Sequence, residues 1–457
     1  MFQNRFNLFT VFTGVLIRIT VFLSFVLSAP GLMVSSHAGE YAYINISNPF
    51  LKKTPVAVTE FKRVGDRPTD REDAETALRM LKGALEFTGY LKIMNPVAFL
   101  ADPSQTGVSL PEINFRDWTG IGAEFLITGK ITGNNAGNVT LELRLFDTFN
   151  SKLLVGNIYS GNRSQLRKII LKFCSDISYA LTGSYGVFNS RIAFVSKLNG
   201  KKEIFTCDFD GSDIKPFTSH RSISLSPSWS HDGQWLAYVS FAKGGTKIFI
   251  EKVKGKMGTI INYEGTNSSP DWMPGTLKLA ASMTFSGDPE IYLLTQEGEI
   301  IKRVTTSYGI DVSPNFSPDG DRIVFTSRRH GTPQIYMKDL KTGQVRRLTF
   351  KGPHNTSPAW SPDGKRIAYV GIEDDQINIF VTNIDSGEPV QLTAGSGDNE
   401  DPSWSPDGSM LVFSSSREGG VPRIYVMNTS GTDQRRLLTA PGEQTQPDWS
   451  MSLNTQN

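Results

Sequence analysis

From residue 190 onward, short alternations of apolar and polar positions return in one fixed order. An aromatic residue followed by a small polar one ends a strand, an Asp-Gly turn follows at Asp319-Gly320, Asp363-Gly364 and Asp407-Gly408, and a β-branched and aromatic strand comes next. An alternating strand succeeds it, such as Gln334 to Met337 or Arg423 to Val426. The unit closes on Leu-Thr, as at Leu348-Thr349, Leu392-Thr393 and Leu438-Thr439. The aromatic marker falls at Trp229, Trp272, Phe316, Trp360, Trp404 and Trp449, 43 to 45 residues apart. That period and four strands per unit predict an all-β six-bladed β-propeller over residues 185–457, with the markers stacking blade on blade as core. The first unit opens at Arg191-Ile192-Ala193-Phe194 without a marker strand before it, and a marker strand stands alone at Pro447-Asp448-Trp449-Ser450. The C-terminal strand is therefore expected to complete the first blade and close the ring.

Residues 39–184 do not repeat and predict an α/β N-terminal domain. Pro55 to Phe61 reads as a strand, and Asp73 to Thr88 as a helix with Ala77, Leu78, Leu81, Ala84 and Leu85 on one face. Strands are expected over Leu91 to Met94, Ala123 to Thr132, Val139 to Thr148 and Lys152 to Ser160. A last helix runs from Ser164 to its stop at Gly183.

Residues 1–38 hold Arg5 and Arg18 and no acid, then an apolar run and Ser36-His37-Ala38. This pattern predicts a secretory signal peptide cut after Ala38. Arg18 leaves an apolar stretch shorter than a spanning helix needs, which argues against the alternative of a membrane anchor. No later segment could span a bilayer. The formal charge of +2 then resides in the signal, and the mature chain is neutral, which speaks against a nucleic-acid binder. Two cysteines, Cys174 and Cys207, support no disulfide scaffold and read as buried thiols.

Catalytic patterns are missing. There is no Gly-x-Ser-x-Gly, no His-Glu-x-x-His and no phosphate-binding glycine loop, so neither a catalytic residue, a metal site nor a cofactor is assigned. The repeated Asp-Gly carboxylates read as turn formers. What remains is one rim of the ring, where the loop before each marker strand is polar and varied. Its candidates are His220, Arg221, Thr266, Asn267, Asp311, His354, Asn355, Asn399 and Glu400. At the new N-terminus, Glu40, Tyr41, Ala42, Tyr43, Ile44, Asn45, Ile46 and Ser47 form a short alternating segment. It reads either as an extended end free to pair with a sheet edge, its own or a partner's, or as an ordinary first strand. A secreted propeller hydrolase, a ligand sensor and an adhesion scaffold stay open as other readings.

The Ser-Pro-Asp-Gly units behind a signal and a small α/β domain resemble the TolB family, the periplasmic members of the Tol-Pal system of Gram-negative envelopes. Gly122 to Gly129, Leu143 to Thr148, the passage from Leu181-Thr182-Gly183 to Arg191 to Val195, and His220-Arg221-Ser222 ahead of Ser226 to Ser230 carry the likeness. The resemblance implies a monomeric, non-enzymatic periplasmic adaptor. Its rim would bind the peptidoglycan-associated lipoprotein Pal, and its N-terminal segment would be seen by TolA, in outer-membrane invagination at division and envelope integrity. One departure stands at Thr266, where the family often carries His, so that imidazole contact is lost.

Overall fold

The computed structural model describes residues 43–46, 52–65, 68–134, 136–198, 200–255, 257–395 and 397–452. The α/β part is built from β1 (Thr54–Val58), β2 (Lys62–Arg63), α1 (Pro68–Phe87), β3 (Leu91–Ile93), α2 (Phe115–Thr119), β4 (Phe125–Gly133), β5 (Asn138–Asp147), β6 (Lys152–Asn162) and α3 (Leu166–Thr182). The sheet order is β3-β1-β4-β5-β6, with β2 against β4. β1 runs parallel to β3 and β4, while β4, β5 and β6 form an antiparallel meander.

Helix α1 starts at Pro68, five residues before the Asp73 expected from the sequence. Pro68 has the φ a first helical turn needs, and buried Asp73 in the second turn is met by Arg163 at 2.7 Å. Its face of Ala77, Leu81, Ala84 and Leu85 packs with Ile170, Phe173, Ile177 and Leu181 of α3. Gly183, in the left-handed region at φ 77°, ends α3 and donates to Tyr179 O at 2.9 Å. On the other sheet face Trp118 from the five-residue α2 packs with Phe146, Leu126 and Ala57. Cys174 and Cys207 are free and buried in one shared cluster, and burial pushes both thiols up.

The remainder is a six-bladed β-propeller of four-stranded antiparallel sheets. The inner strands of blades 1 to 5 are Ser224–Trp229, Asn267–Trp272, Asp311–Phe316, Asn355–Trp360 and Asn399–Trp404. Blade 6 joins the inner strand Glu443–Trp449 to β7 (Arg191–Leu198), β8 (Lys201–Asp208) and β9 (Lys215–Pro216). Thr445 faces Val195 and Trp449 faces Ile192 across that closing pair. Each marker aromatic is buried between its own blade and the previous one. Trp272, for example, packs on Ile248 and Ile250 of blade 1, and Trp404 on Ile379 of blade 4.

Every inner strand carries a bulge. Ser226, Ser269, Ser313, Ser357, Asp401 and Gln446, each before Pro, have φ between 48° and 54°, and the pairing register shifts there. A bulge turns the following Pro-x pair toward the axis. The α/β part shares its core with blades 5 and 6: Tyr90 and Phe173 join Phe209, Met410, Ile424 and Trp449 in one cluster. Polar ties reinforce it. Arg435 donates to Phe87 O at 2.6 Å, and Arg167 reaches Asp210 at 3.0 Å and Asp208 at 3.3 Å.

Candidate functional site

Strand direction decides which loops share a face. An inner strand begins on one face of the ring and ends on the other, and the second strand returns antiparallel to it. The loop before each inner strand therefore opens beside the hairpin joining the second and third strands. Both sets form the rim.

The structure separates the predicted rim residues into two layers. Asn267, Asp311, Asn355 and Asn399, each the first residue of an inner strand, are buried beneath the rim. They hold loops together from below. Asn267 Nδ2 donates to Tyr263 O at 2.8 Å, Asp311 pairs with Arg329 at 2.9 Å, and Asn355 Nδ2 donates to Gln334 Oε1 and Lys351 O, both at 2.8 Å. Asn399 Oδ1 accepts from Ser415 Oγ and Arg417 Nη2, both at 2.8 Å.

Arg221, Thr266, His354 and Glu400 are exposed, and His220 is half-buried. Arg221 adopts φ 54°, with its N–H donating to Glu203 Oε1 at 2.6 Å, and Thr266 N–H donates to Thr284 Oγ1 at 2.7 Å. His220 Nδ1 lies 3.1 Å from Ser240 Oγ, and its ring sits 5.1 Å from that of Phe249. Desolvation and the neighbouring Asp398 both push the Glu400 carboxyl up.

The same face also carries apolar side chains. Tyr308 is 92% exposed and Phe350 71%, with Leu198, Ile223, Phe241 and Phe285 also open on rim loops. Leu198, Phe241 and Phe285 belong to the second-to-third-strand hairpins, and counting strand reversals along the repeat would have put them there.

Below the rim the axial channel is tied blade to blade. Asp448 Oδ2 accepts from Trp229 N at 2.7 Å, Asp271 Oδ2 from Phe316 N at 2.8 Å, Asn315 Oδ1 from Trp360 N at 2.7 Å and Ser403 Oγ from Trp449 N at 3.0 Å. Asp271 and Asp448 are half-buried in the lining of the channel. Desolvation pushes both up to about 7, with the Asp448 charge adding to the shift at Asp271. Desolvation and Glu400 push Asp401 up to about 6. The Asp-Gly carboxylates are engaged in their own turns, as where Asp407 Oδ1 accepts from Ser405 Oγ at 2.7 Å and from Ser409 N at 3.0 Å. Among the described residues no three His, Cys, Asp or Glu side chains cluster to hold a metal.

Of the N-terminal segment, Tyr43 to Ile46 are described, and they form no strand. Ile44 is buried, and its N–H donates to Leu181 O at 2.8 Å at the end of α3. Tyr43 lies edge-on to Phe125 at 5.8 Å, and Ile46 packs against the same core. Ala38, Glu40, Tyr41, Ala42 and Ser47 lie outside the described residues. Among the described residues no helix is long and apolar enough to cross a membrane.

Residues 179–453 match the family described as "TolB beta propeller domain", and residues 42–154 match "TolB amino-terminal domain". The chain belongs to the TolB family. A Tol-Pal system protein TolB of Desulfosudis oleivorans is 59% identical over 414 residues, covering 91% of this chain and 94% of the relative. A TolB homologue of Chlorobaculum tepidum is 40% identical over 283 residues, 62% of this chain and 63% of its own length. The crystal structure of TolB from Acinetobacter baumannii superposes with a TM-score of 0.76 at 27% identity, covering 90% of this chain and 98% of that one. The match to TolB thus spans the α/β part and the ring together.

Proposed function

We propose that this protein is a periplasmic, non-enzymatic adaptor of the Tol-Pal system, which binds Pal through the propeller rim and TolA through its N-terminal segment. In that role it serves outer-membrane invagination at division and envelope integrity. The observation that carries the reading is the 59% identity to a Tol-Pal system protein TolB across 94% of that relative. The geometry supports it. A rigid ring presents Arg221, Thr266, His354 and Glu400 beside exposed Tyr308 and Phe350, a polar-apolar mixture suited to a protein surface. With no net charge on the mature chain, shape and local contacts rather than bulk attraction select the partner.

The docked Ile44 supports a coupled arrangement. The segment that TolA would capture is pinned to the last turn of α3, which leads through Gly183 into β7 and the closing blade. Pal on the rim then biases how often the segment is released. Pull-down from an envelope extract tests the adaptor reading, with recovery of a lipidated peptidoglycan-binding protein expected and its absence favouring a hydrolase or scaffold. TolA affinity is expected to change when Pal is saturating, and equal affinity with and without Pal would rule the coupling out.

A further inference from the structure

Each blade except blade 2 sets two aromatic rings opposite one another on its second and third strands, and the space above them opens toward the rim. In blade 3 the hairpin residue Arg329 folds over this pair, 4.8 Å from the Tyr336 centroid and 5.2 Å from Phe325. Its guanidinium donates to Asp311 at 2.9 Å and to Ser327 Oγ at 2.8 Å. Blade 5 repeats the arrangement. Arg417 lies 4.7 Å from Tyr425 and 5.4 Å from Phe413, and it donates to Asn399 Oδ1 and Ser415 Oγ, both at 2.8 Å. Blade 1 fills the same place with His220, and blade 2, with Ala281 opposite Tyr292, fills it with Phe285, 4.8 Å from that ring.

Blade 4 has the aromatic pair, Tyr369 and Phe380 at 5.7 Å, without a filler among the described residues. Its hairpin runs straight up to a tight turn at Asp374 and Asp375, so no side chain folds back. Gly371 stands where blades 3 and 5 have Ser327 and Ser415. A pocket of about 170 Å³ results, lined by Tyr369, Phe380, Gly371, Asn355, Glu373 and Lys351. Asn355 spends its Nδ2 on Gln334 and Lys351, while its Oδ1 faces Gly371, where the matching oxygen of Asn399 receives an arginine. The charges at the mouth agree. Exposed Glu373, Asp374 and Asp375 form the hairpin tip, and the nearby cation Lys351 is paired with Glu388 at 3.1 Å.

We propose that this slot receives an arginine side chain from a protein partner, its guanidinium stacked on Tyr369 and Phe380 and bonded to Asn355 Oδ1 and Glu373. The proposal rests on the rim being the docking face. Two sibling blades already show the ligand's chemistry from within the chain, and arginine suits it because a planar fork can stack and donate at once.

The probe is N-acetyl-arginine methylamide, titrated into the purified protein with ring-labelled tyrosine and followed by NMR at Tyr369. The Tyr369 signal is expected to shift, the lysine and phenylalanine analogues to act about tenfold more weakly, and Glu373→Lys, at an exposed hairpin tip, to weaken the arginine probe about tenfold. No shift at Tyr369, an equal response to the lysine or phenylalanine analogue, or an arginine response unchanged by Glu373→Lys would overturn the proposal. Pal affinity of the unaltered protein reads the rim assignment separately, so the two failures are distinguishable.

Discussion

Replacing Asp448 with Asn isolates the energetics of the channel. Asp448 sits where blade 3 carries Asn315, and Asn315 Oδ1 already accepts from the next blade's Trp360 N at 2.7 Å, as Asp448 Oδ2 does from Trp229 N. In Asp448→Asn the new amide oxygen keeps that bond, and the amide nitrogen can donate to Ser403 Oγ, 3.3 Å from the present carboxylate. Only the charge is lost. The Asp448 pKa is raised from 3.8 to about 7 by desolvation, so the folded state holds the proton more tightly than the unfolded chain does. The stabilising contribution is full below about pH 4 and disappears as pH rises through about 7. A rise of that size sets a ceiling of about 4 kcal/mol, and channel water reduces this to about 1–2 kcal/mol. Urea denaturation at pH 5, 6.5 and 8 should show the parent losing stability toward pH 8. Asp448→Asn should match it at pH 5 and exceed it by about 1–2 kcal/mol at pH 8. A difference between the two proteins that does not vary with pH, or a variant less stable at pH 8, would refute the reasoning.

Other perturbations probe the closure, the rim support and the docked segment. Truncation after Thr439 removes the strand that pairs with β7 and should lower the melting temperature of the whole ring, checked by calorimetry; an unchanged melt would sink the closure account. Arg417→Ala removes bonds to Asn399, Ser415 and Gln434 together with the stacking on Tyr425, and should cost about 3 kcal/mol in urea unfolding. Ser269→Val places a β-branched residue at φ 48° and should destabilise by about 1–2 kcal/mol, while Ser269→Gly should be neutral or better. The Ile44 amide should exchange with solvent at least tenfold more slowly than an unstructured reference, and its rate should change when Pal is saturating.

The ring was legible because its core repeats. A marker aromatic must lie between two blades, so an aromatic returns at Trp272, Phe316 and Trp360, and an Asp-Gly turn follows the marker in blades 1, 3, 4 and 5. The α/β part was legible only where apolar periodicity ran long. The start of α1 was hidden because its first five residues, Pro68 to Glu72, are polar or Pro and carry no apolar period. Helix α2 was hidden because five residues carry no amphipathic period, although Trp118 is buried. At the rim, Asn267, Asp311, Asn355 and Asn399 read as solvated loop residues because polarity usually marks exposure, and their partners come from strands and loops the sequence does not place beside them. The slot in blade 4 is visible in outline, since Gly371 stands where blades 1, 3 and 5 have Ser240, Ser327 and Ser415 and blade 2 has Met283, but its opening depends on the path of the hairpin.

The closing pair also constrains the order of events during folding. Strand β7 comes early in the ring, yet its partner Glu443–Trp449 comes some 250 residues later, as in the bond from Arg191 N to Ser450 Oγ, which spans 259 positions. Until then β7 is an open edge, and the core under α3 lacks Trp449. Such a distant contact makes the last step slow and dependent on the whole chain. A chain without that strand keeps an open edge in blade 6, so the ring has six complete blades only once Glu443–Trp449 has docked on β7.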